Sequence, residues 1–135
     1  AMGICNLRHI KEEIEKRKKV FSRYIYHLGK IEGIYLPKIQ EDVESNYAYF
    51  PIVIDRKAFG RNRDEVFALL ASHGVISRKY FYPHTNTFKC YADRFDVDKT
   101  PVALELARNV LTLPLYGDLS IEDVEKICDI ILKGK

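Results

Sequence analysis

The sequence predicts a small β-sheet with helices packed on it, an α/β or α+β layer arrangement. Three observations carry this expectation. Apolar residues recur at helical spacing in four segments of the 135-residue chain. Short runs rich in aromatic and β-branched residues lie between them. Ser, Thr and Asn caps and well-placed glycines mark where helices begin and stop. The composition, 47% apolar and 30% charged, suits one globular core.

The first helix spans 4–29, with Leu7, Ile10, Ile14, Phe21, Tyr24, Ile25 and Leu28 on a stripe that Arg17 shares. Gly29 and Gly33 punctuate its end, and Pro37 lies beyond. At about 25 residues it is long for a small domain, so it packs along something or bridges two bodies. The polar connection 34–46 can hold a short strand at 34–36. Tyr47 to Ile54 reads as a strand in which Pro51, lacking an N–H, belongs at an edge or a bulge. Asn62 caps the next helix, with Glu65 placed for a capping box, and Val66, Leu69 and Leu70 form its apolar face. Gly74 ends it in the left-handed conformation. Val75 to Tyr82 reads as a second strand, and 83–99 as a loop. Thr100 as N-cap and Pro101 at the first helical position open a helix that continues through Leu106, Ala107, Val110 and Leu111. Leu113 to Tyr116 is a short extended stretch broken by Gly117. Ser120 and Asp123 start the last helix, with Ile121, Val124, Ile127, Cys128 and Ile131 as its apolar stripe. Lys133 and Lys135 suit its carboxy-terminal end.

Several function classes are disfavoured. The formal net charge is +3, too mild for the concentrated basic face of a nucleic-acid reader. The cluster Lys16, Arg17, Lys18, Lys19 and Arg23 follows Glu12, Glu13 and Glu15 and reads as a solvated helix face; contact with phosphate or a partner is the other reading. Cys5, Cys90 and Cys128 are odd in number and widely spaced, which argues against a disulfide framework or a zinc site and fits a reducing, cytoplasmic compartment. His9, His27 and His73 read as helix-surface residues, so no metal site is expected. The Asp93–Asp98 segment lacks the glycine and closing glutamate of a calcium loop. A nucleophile elbow and a phosphate-cradling glycine loop are absent. No apolar run reaches the roughly 18 residues of a membrane span, and no signal peptide is visible.

The most informative window runs from Gly74 to Asn86. Alternate residues on a strand share a face, so Arg78, Tyr80 and Tyr82 point one way, with His84 just past the strand end. A guanidinium, two phenols and an imidazole together suit an anionic, hydroxyl-rich ligand. The plainer reading half-buries the tyrosines and pairs Arg78 with a carboxylate. No base or nucleophile with a partner is visible, so the chain does not show a complete catalytic site.

Over nearly its full length the chain resembles the carboxy-terminal third of the DegT/DnrJ/EryC1/StrS sugar aminotransferases. Ala1-Met2-Gly3-Ile4-Cys5-Asn6-Leu7 is similar to the family's AxGxxxL helix start, which implies that these residues are native sequence. Arg17 and Tyr24 match its RxxxxxxY continuation, and Tyr49-Phe50-Pro51-Ile52 resembles the first strand of its small domain. Gly74 to Pro83 resembles its GIxxRxYFxP element, with Val75 in place of isoleucine. Val110 to Leu115, followed by Leu119-Ser120 and Val124, resembles its ending.

The resemblance implies a small domain of the type I pyridoxal-phosphate fold. Residues 1–33 would be the long helix linking to a large domain outside this chain, and 34–135 the small α/β domain. The large domain would hold the Schiff-base lysine and the pyridoxal phosphate, so this chain would contain no catalytic and no cofactor-binding residue and be inactive alone. The full protein would be a homodimer that moves an amino group from glutamate to a nucleotide-linked keto-sugar, such as a dTDP-4-keto-6-deoxyhexose. The Tyr-Phe-Tyr-Pro form is most similar to members making 4-amino-4,6-dideoxy sugars. Arg78, Tyr80, Tyr82 and His84 would line the pocket for the sugar nucleotide or the amino donor. Many relatives place a hydrophobic residue between the proline and the histidine; here His84 follows Pro83 directly. A sugar dehydratase of the same family is an alternative reading, as is a non-catalytic binding module. Separation from a large domain would also leave apolar residues exposed on the first helix, or drive a self-association that covers them.

Overall fold

The structure is a computed structural model that describes residues 2–91 and 93–133. Ala1 and Lys135, which the sequence assigned to a helix start and a helix end, lie outside the described residues.

The long first helix is present but interrupted. It divides into α1 (Met2–Leu7) and α2 (Ile10–Leu28), with tight turns between them, Arg8 N–H to the Cys5 carbonyl at 3.2 Å and His9 N–H to the Asn6 carbonyl at 3.1 Å. The reason is local. Gly3, Cys5, Asn6 and His9 are weak helix formers, and no residue of α1 is buried. Met2, Ile4, Leu7 and Ile10 are exposed. Tertiary packing supports the helix only further along, where Val20, Phe21, Tyr24 and Leu28 are buried.

Gly33 then turns the chain with φ of 81°. A Cβ there would stand 2.3 Å from the backbone nitrogen of Phe59, so only glycine fits. Strand β1 (Ile34–Tyr35) pairs antiparallel with the central strand β2 (Phe50–Ile54), which pairs antiparallel with β3 (Val110–Leu113). Pro51 therefore sits in the central strand, not at an edge or bulge. Its position is still physically acceptable. Asp55 N–H reaches the Gly33 carbonyl at 2.8 Å, so odd-numbered residues of β2 direct their backbone groups toward β1. The two-residue β1 pairs only with Val53 and Ile54, so Pro51 lies beyond it.

After β2 come the single turn α3 (Arg56–Phe59) and α4 (Arg63–Ser72). The expected capping box is complete: the Asn62 side chain accepts from Glu65 N–H at 2.9 Å, and Glu65 accepts from Asn62 N–H at 2.6 Å. Gly74 is left-handed, with φ of 77°. In the connection 83–99 are two short 3-10 turns, Thr85–Thr87 and Val97–Lys99. Helix α5 (Pro101–Asn109) starts on Pro101 as expected, but Thr100 is not its side-chain cap, because its hydroxyl donates to the Val97 carbonyl at 3.2 Å. The helix also stops before Val110. Val110 and Leu111 belong to β3, which precedes the predicted extended stretch, since β-branched Val110 and Thr112 suit a strand. Helix α6 (Ile121–Lys133) begins as predicted, with Asp123 N–H donating to the Ser120 hydroxyl at 3.1 Å.

One core joins Phe50, Ile52, Ile54, Leu111 and Leu113 of the sheet to the inner faces of α2, α4 and α6. At its centre Tyr24 is fully buried and stacks on Phe50 at 4.7 Å. Its hydroxyl donates to the Pro114 carbonyl at 3.0 Å, and burial pushes its ionisation well above the usual phenol range. The basic cluster is largely a surface feature. Lys16 pairs with Glu13 at 2.9 Å and Arg23 pairs with Glu125 of α6, while Lys18 and Lys19 are exposed.

Two measurements test this packing. Tyr24→Phe leaves the Pro114 carbonyl without its donor and should cost about 1–2 kcal/mol in chemical denaturation; Tyr24→Ala should cost about 3–5 kcal/mol. Burial raises the Cys128 thiol to about 12, whereas Cys5 and Cys90 are exposed. Thiol alkylation of the folded chain at neutral pH should therefore modify two cysteines, with the third reacting only in denaturant.

Candidate functional site

The site grows out of the face of the sheet that the core does not use. Phe50 and Ile52 point inward, so Tyr49 and Pro51 point outward, as does Thr112 opposite Pro51. Past Gly74 the chain runs alongside β3. The predicted strand Val75–Tyr82 does not form; contact with the sheet is one bridge, Arg78 to Thr112, with reciprocal backbone bonds of 2.9 and 2.7 Å. Both ends of the bridge are blocked. Antiparallel continuation would set Ile76 against Pro114, which has no N–H. On the other side the chain turns at once, with Tyr82 N–H donating to the Lys79 carbonyl at 2.9 Å.

That turn spreads the predicted site residues over two cavities, both of which Arg78 and Tyr80 line. Arg78 and Tyr80 stay together: Arg78 donates to the Tyr80 hydroxyl, and its guanidinium carbon lies 5.6 Å from the ring centroid. Tyr80 meets Tyr49 edge to face at 5.8 Å. With Thr112, Pro114 and Tyr116 they line a cavity of about 370 Å³. Tyr82 is not on this face. Its ring packs on Arg63 at 4.7 Å and lines a second cavity, of about 570 Å³, which Arg78 and Tyr80 also line, together with Ser77, Lys79 and Phe81. His84 lines neither cavity. Its carbonyl anchors the turn at Thr85–Thr87, accepting from Thr87 N–H at 2.9 Å, and its Nδ1 is buried with no hydrogen-bond partner among the described residues.

Arg78 meets no carboxylate within salt-bridge distance among the described residues, so the plainer expectation of a paired Arg78 is not met. The carboxylate goes to its neighbour: Lys79 pairs with Asp64 at 2.5 Å. The hydrogen bond from Lys79, aided by the charge of Arg63, holds the Asp64 carboxyl below the usual range. Arg78 thus offers an exposed, unneutralised guanidinium beside three phenols.

The residues present do not fit pyridoxal phosphate by themselves. The Arg78 cavity has neither a lysine nor a carboxylate in its lining, and the lysine of the second cavity is engaged by Asp64. Among the described residues no group of three or more His, Cys, Asp or Glu is arranged to hold a metal ion, and no helix is long and apolar enough to cross a membrane.

The sequence reading missed Tyr49, Thr112, Tyr116 and Arg63. Tyr49 was open to discovery, because alternation from Phe50 puts it on the outward face. Arg63, the first residue of α4, carries no local signal of its burial.

The sequence pattern of the DegT/DnrJ/EryC1/StrS aminotransferase family matches residues 1–132. A protein of Escherichia coli named dTDP-4-amino-4,6-dideoxy-D-glucose transaminase is 40% identical over 98% of this chain and 36% of its own length. One of the same name from Shigella dysenteriae is 32% identical over the whole chain, again 36% of its own length. Among solved structures, DesI in the presence of its TDP-sugar product superposes with a TM-score of 0.89 at 26% identity, over 98% of this chain and 35% of DesI. The chain thus spans about a third of the relatives it matches. By its sequence over almost its whole length and by its fold, the chain belongs to the DegT/DnrJ/EryC1/StrS aminotransferase family.

Proposed function

We propose that this chain is the carboxy-terminal part of a pyridoxal-phosphate-dependent aminotransferase acting on a nucleotide-linked keto-sugar, and that Arg78 and Tyr80 line its substrate pocket. The observation that carries the reading is the unneutralised guanidinium of Arg78 set among Tyr49, Tyr80 and Tyr116. A fixed fork of N–H donors suits the diphosphate of a sugar nucleotide. Phenols donate and accept, as sugar hydroxyls require. The names of the relatives, which specify a dTDP-linked amino sugar, agree with a ligand of this kind.

The cofactor and the lysine that engages it belong, in this reading, to a part of the protein outside this chain. Glutamate is the amino donor and the working unit is a homodimer in the cytoplasm. The apolar residues exposed on α1 and α2, Met2, Ile4, Leu7 and Ile10, fit a surface that another domain or subunit covers. The three free cysteines fit a reducing compartment. Tyr82 joins Arg78 and Tyr80 only in the second cavity, and His84 lines neither, so the direct ligand contacts of this reading centre on Arg78 and Tyr80.

Two experiments on the full-length protein test the proposal. Added pyridoxal phosphate should produce a visible absorption band that glutamate bleaches; binding without such a band would favour a dehydratase, and no binding would remove the aminotransferase reading. Arg78→Ala should raise KM for the sugar nucleotide about 10- to 100-fold, the worth of a charge-assisted hydrogen bond. Unchanged kinetics would reduce Arg78 to a structural role.

A further inference from the structure

We infer that Arg63, which touches neither ligand cavity residue Arg78 nor Tyr80, is the positioning residue that sets their presentation. The inference rests on the proposed substrate pocket. Arg63 is only 3% exposed, although it opens α4, where the helix dipole disfavours a cation. A guanidinium is buried at considerable cost unless its donors are used. Here one terminal nitrogen has acceptors and Nε lies beside a carboxylate without hydrogen-bond alignment, and each contact bears on the site.

One terminal nitrogen lies 3.3 Å from the Ala107 carbonyl and 3.4 Å from that of Val110. These groups sit where α5 passes into β3, at a helix end whose carbonyls lack helical partners. Its Nε lies 2.7 Å from an Asp64 oxygen, and the same oxygen takes Lys79 at 2.5 Å. The flat face of the guanidinium lies 4.7 Å from the centroid of the Tyr82 ring. One side chain therefore reaches both ends of the Lys79–Tyr82 turn, Lys79 through Asp64 and Tyr82 directly. It also holds the start of β3, two residues before Thr112.

Thr112 is the residue that pairs with Arg78, and that single bridge is the strip's sole backbone pairing with the sheet among the described residues. Arg63 thus fixes both sides of the bridge. With Lys79 and Tyr82 held against α4, Arg78 and Tyr80 border both cavities and reach Tyr49 in the first. Asp64 has a lowered carboxyl pKa, so its contribution is present above the usual carboxylate range and is lost only as pH falls through the lowered value. Lysine cannot replace Arg63, since an ammonium offers neither the planar fork nor a face to stack on Tyr82.

The test is equilibrium binding of dTDP to the full-length protein by calorimetry, with a melting curve for each variant. Arg63→Lys should weaken binding about tenfold, as expected for loss of the cation–π contact with Tyr82 and of the contacts to the α5–β3 carbonyls. Asn62→Ala removes the cap of the same helix and serves as the stability control; it should lower the melting temperature and leave the dTDP affinity unchanged. Should Arg63→Lys fail to fold, Asp64→Asn answers the same question at an exposed position. Removing that negative charge would by simple Coulomb attraction tighten an anion, so weaker binding supports positioning. Wild-type affinity in Arg63→Lys, tighter binding in Asp64→Asn, or equal weakening by Asn62→Ala would overturn the inference. Arg78→Ala is measured alongside: if it weakens dTDP while Arg63→Lys does not, only the positioning role fails. If Arg78→Ala has no effect, the pocket reading falls and the inference with it.

Discussion

The antiparallel pairing of β2 with β3 decides which side chains form core and which form the candidate site. Residues along a strand alternate faces, so register alone assigns Phe50, Ile52, Leu111 and Leu113 to one side and Tyr49, Pro51 and Thr112 to the other. The inner face is apolar and mostly aliphatic around Phe50, and α2, α4 and α6 close over it. The outer face is only partly covered: the strip after Gly74 pairs with the edge of β3 at one bridge, and Tyr80 meets Tyr49. A slip of one residue would bury Tyr49 and expose Phe50, removing the core and the cavity together.

The charged groups divide into two kinds of different weight. Arg23 with Glu125, and Lys16 with Glu13, join or decorate helices at the surface, where such pairs contribute little. The Arg63, Asp64 and Lys79 group is different because Arg63 is buried. Removing a partner from such a group leaves a charge without compensation, which makes its geometry demanding. That demand matches its place, between the α5–β3 corner and the Lys79–Tyr82 turn.

In the proposed reading the division of labour follows the same logic. The part that binds cofactor lies elsewhere, and this chain contributes a cation and phenols from a strip and a sheet face. A strip attached by one backbone bridge is easier to adjust than a paired strand, which suits a surface that must differ between keto-sugar substrates. The apolar residues left open on α1 and α2 complete the picture of a piece shaped to meet another body.

Much of the fold was legible in local chemistry. The Asn62–Glu65 box, left-handed Gly74, the Ser120 start of α6 and its buried stripe all follow from short-range rules that act the same in any fold. So did the family, through residues spread over the whole chain. What the sequence alone did not determine depends on partners distant in the chain. Whether Val75–Tyr82 becomes a strand hinges on Pro114 standing opposite Ile76, and whether Pro51 is tolerated in a central strand hinges on how far β1 reaches. Tyr82 lines only the second of the two cavities that Arg78 and Tyr80 border, with its ring packed on Arg63, nineteen positions earlier by number. Local sequence sets the periods and the caps, while register and burial are settled only when strands and helices remote in sequence come into contact.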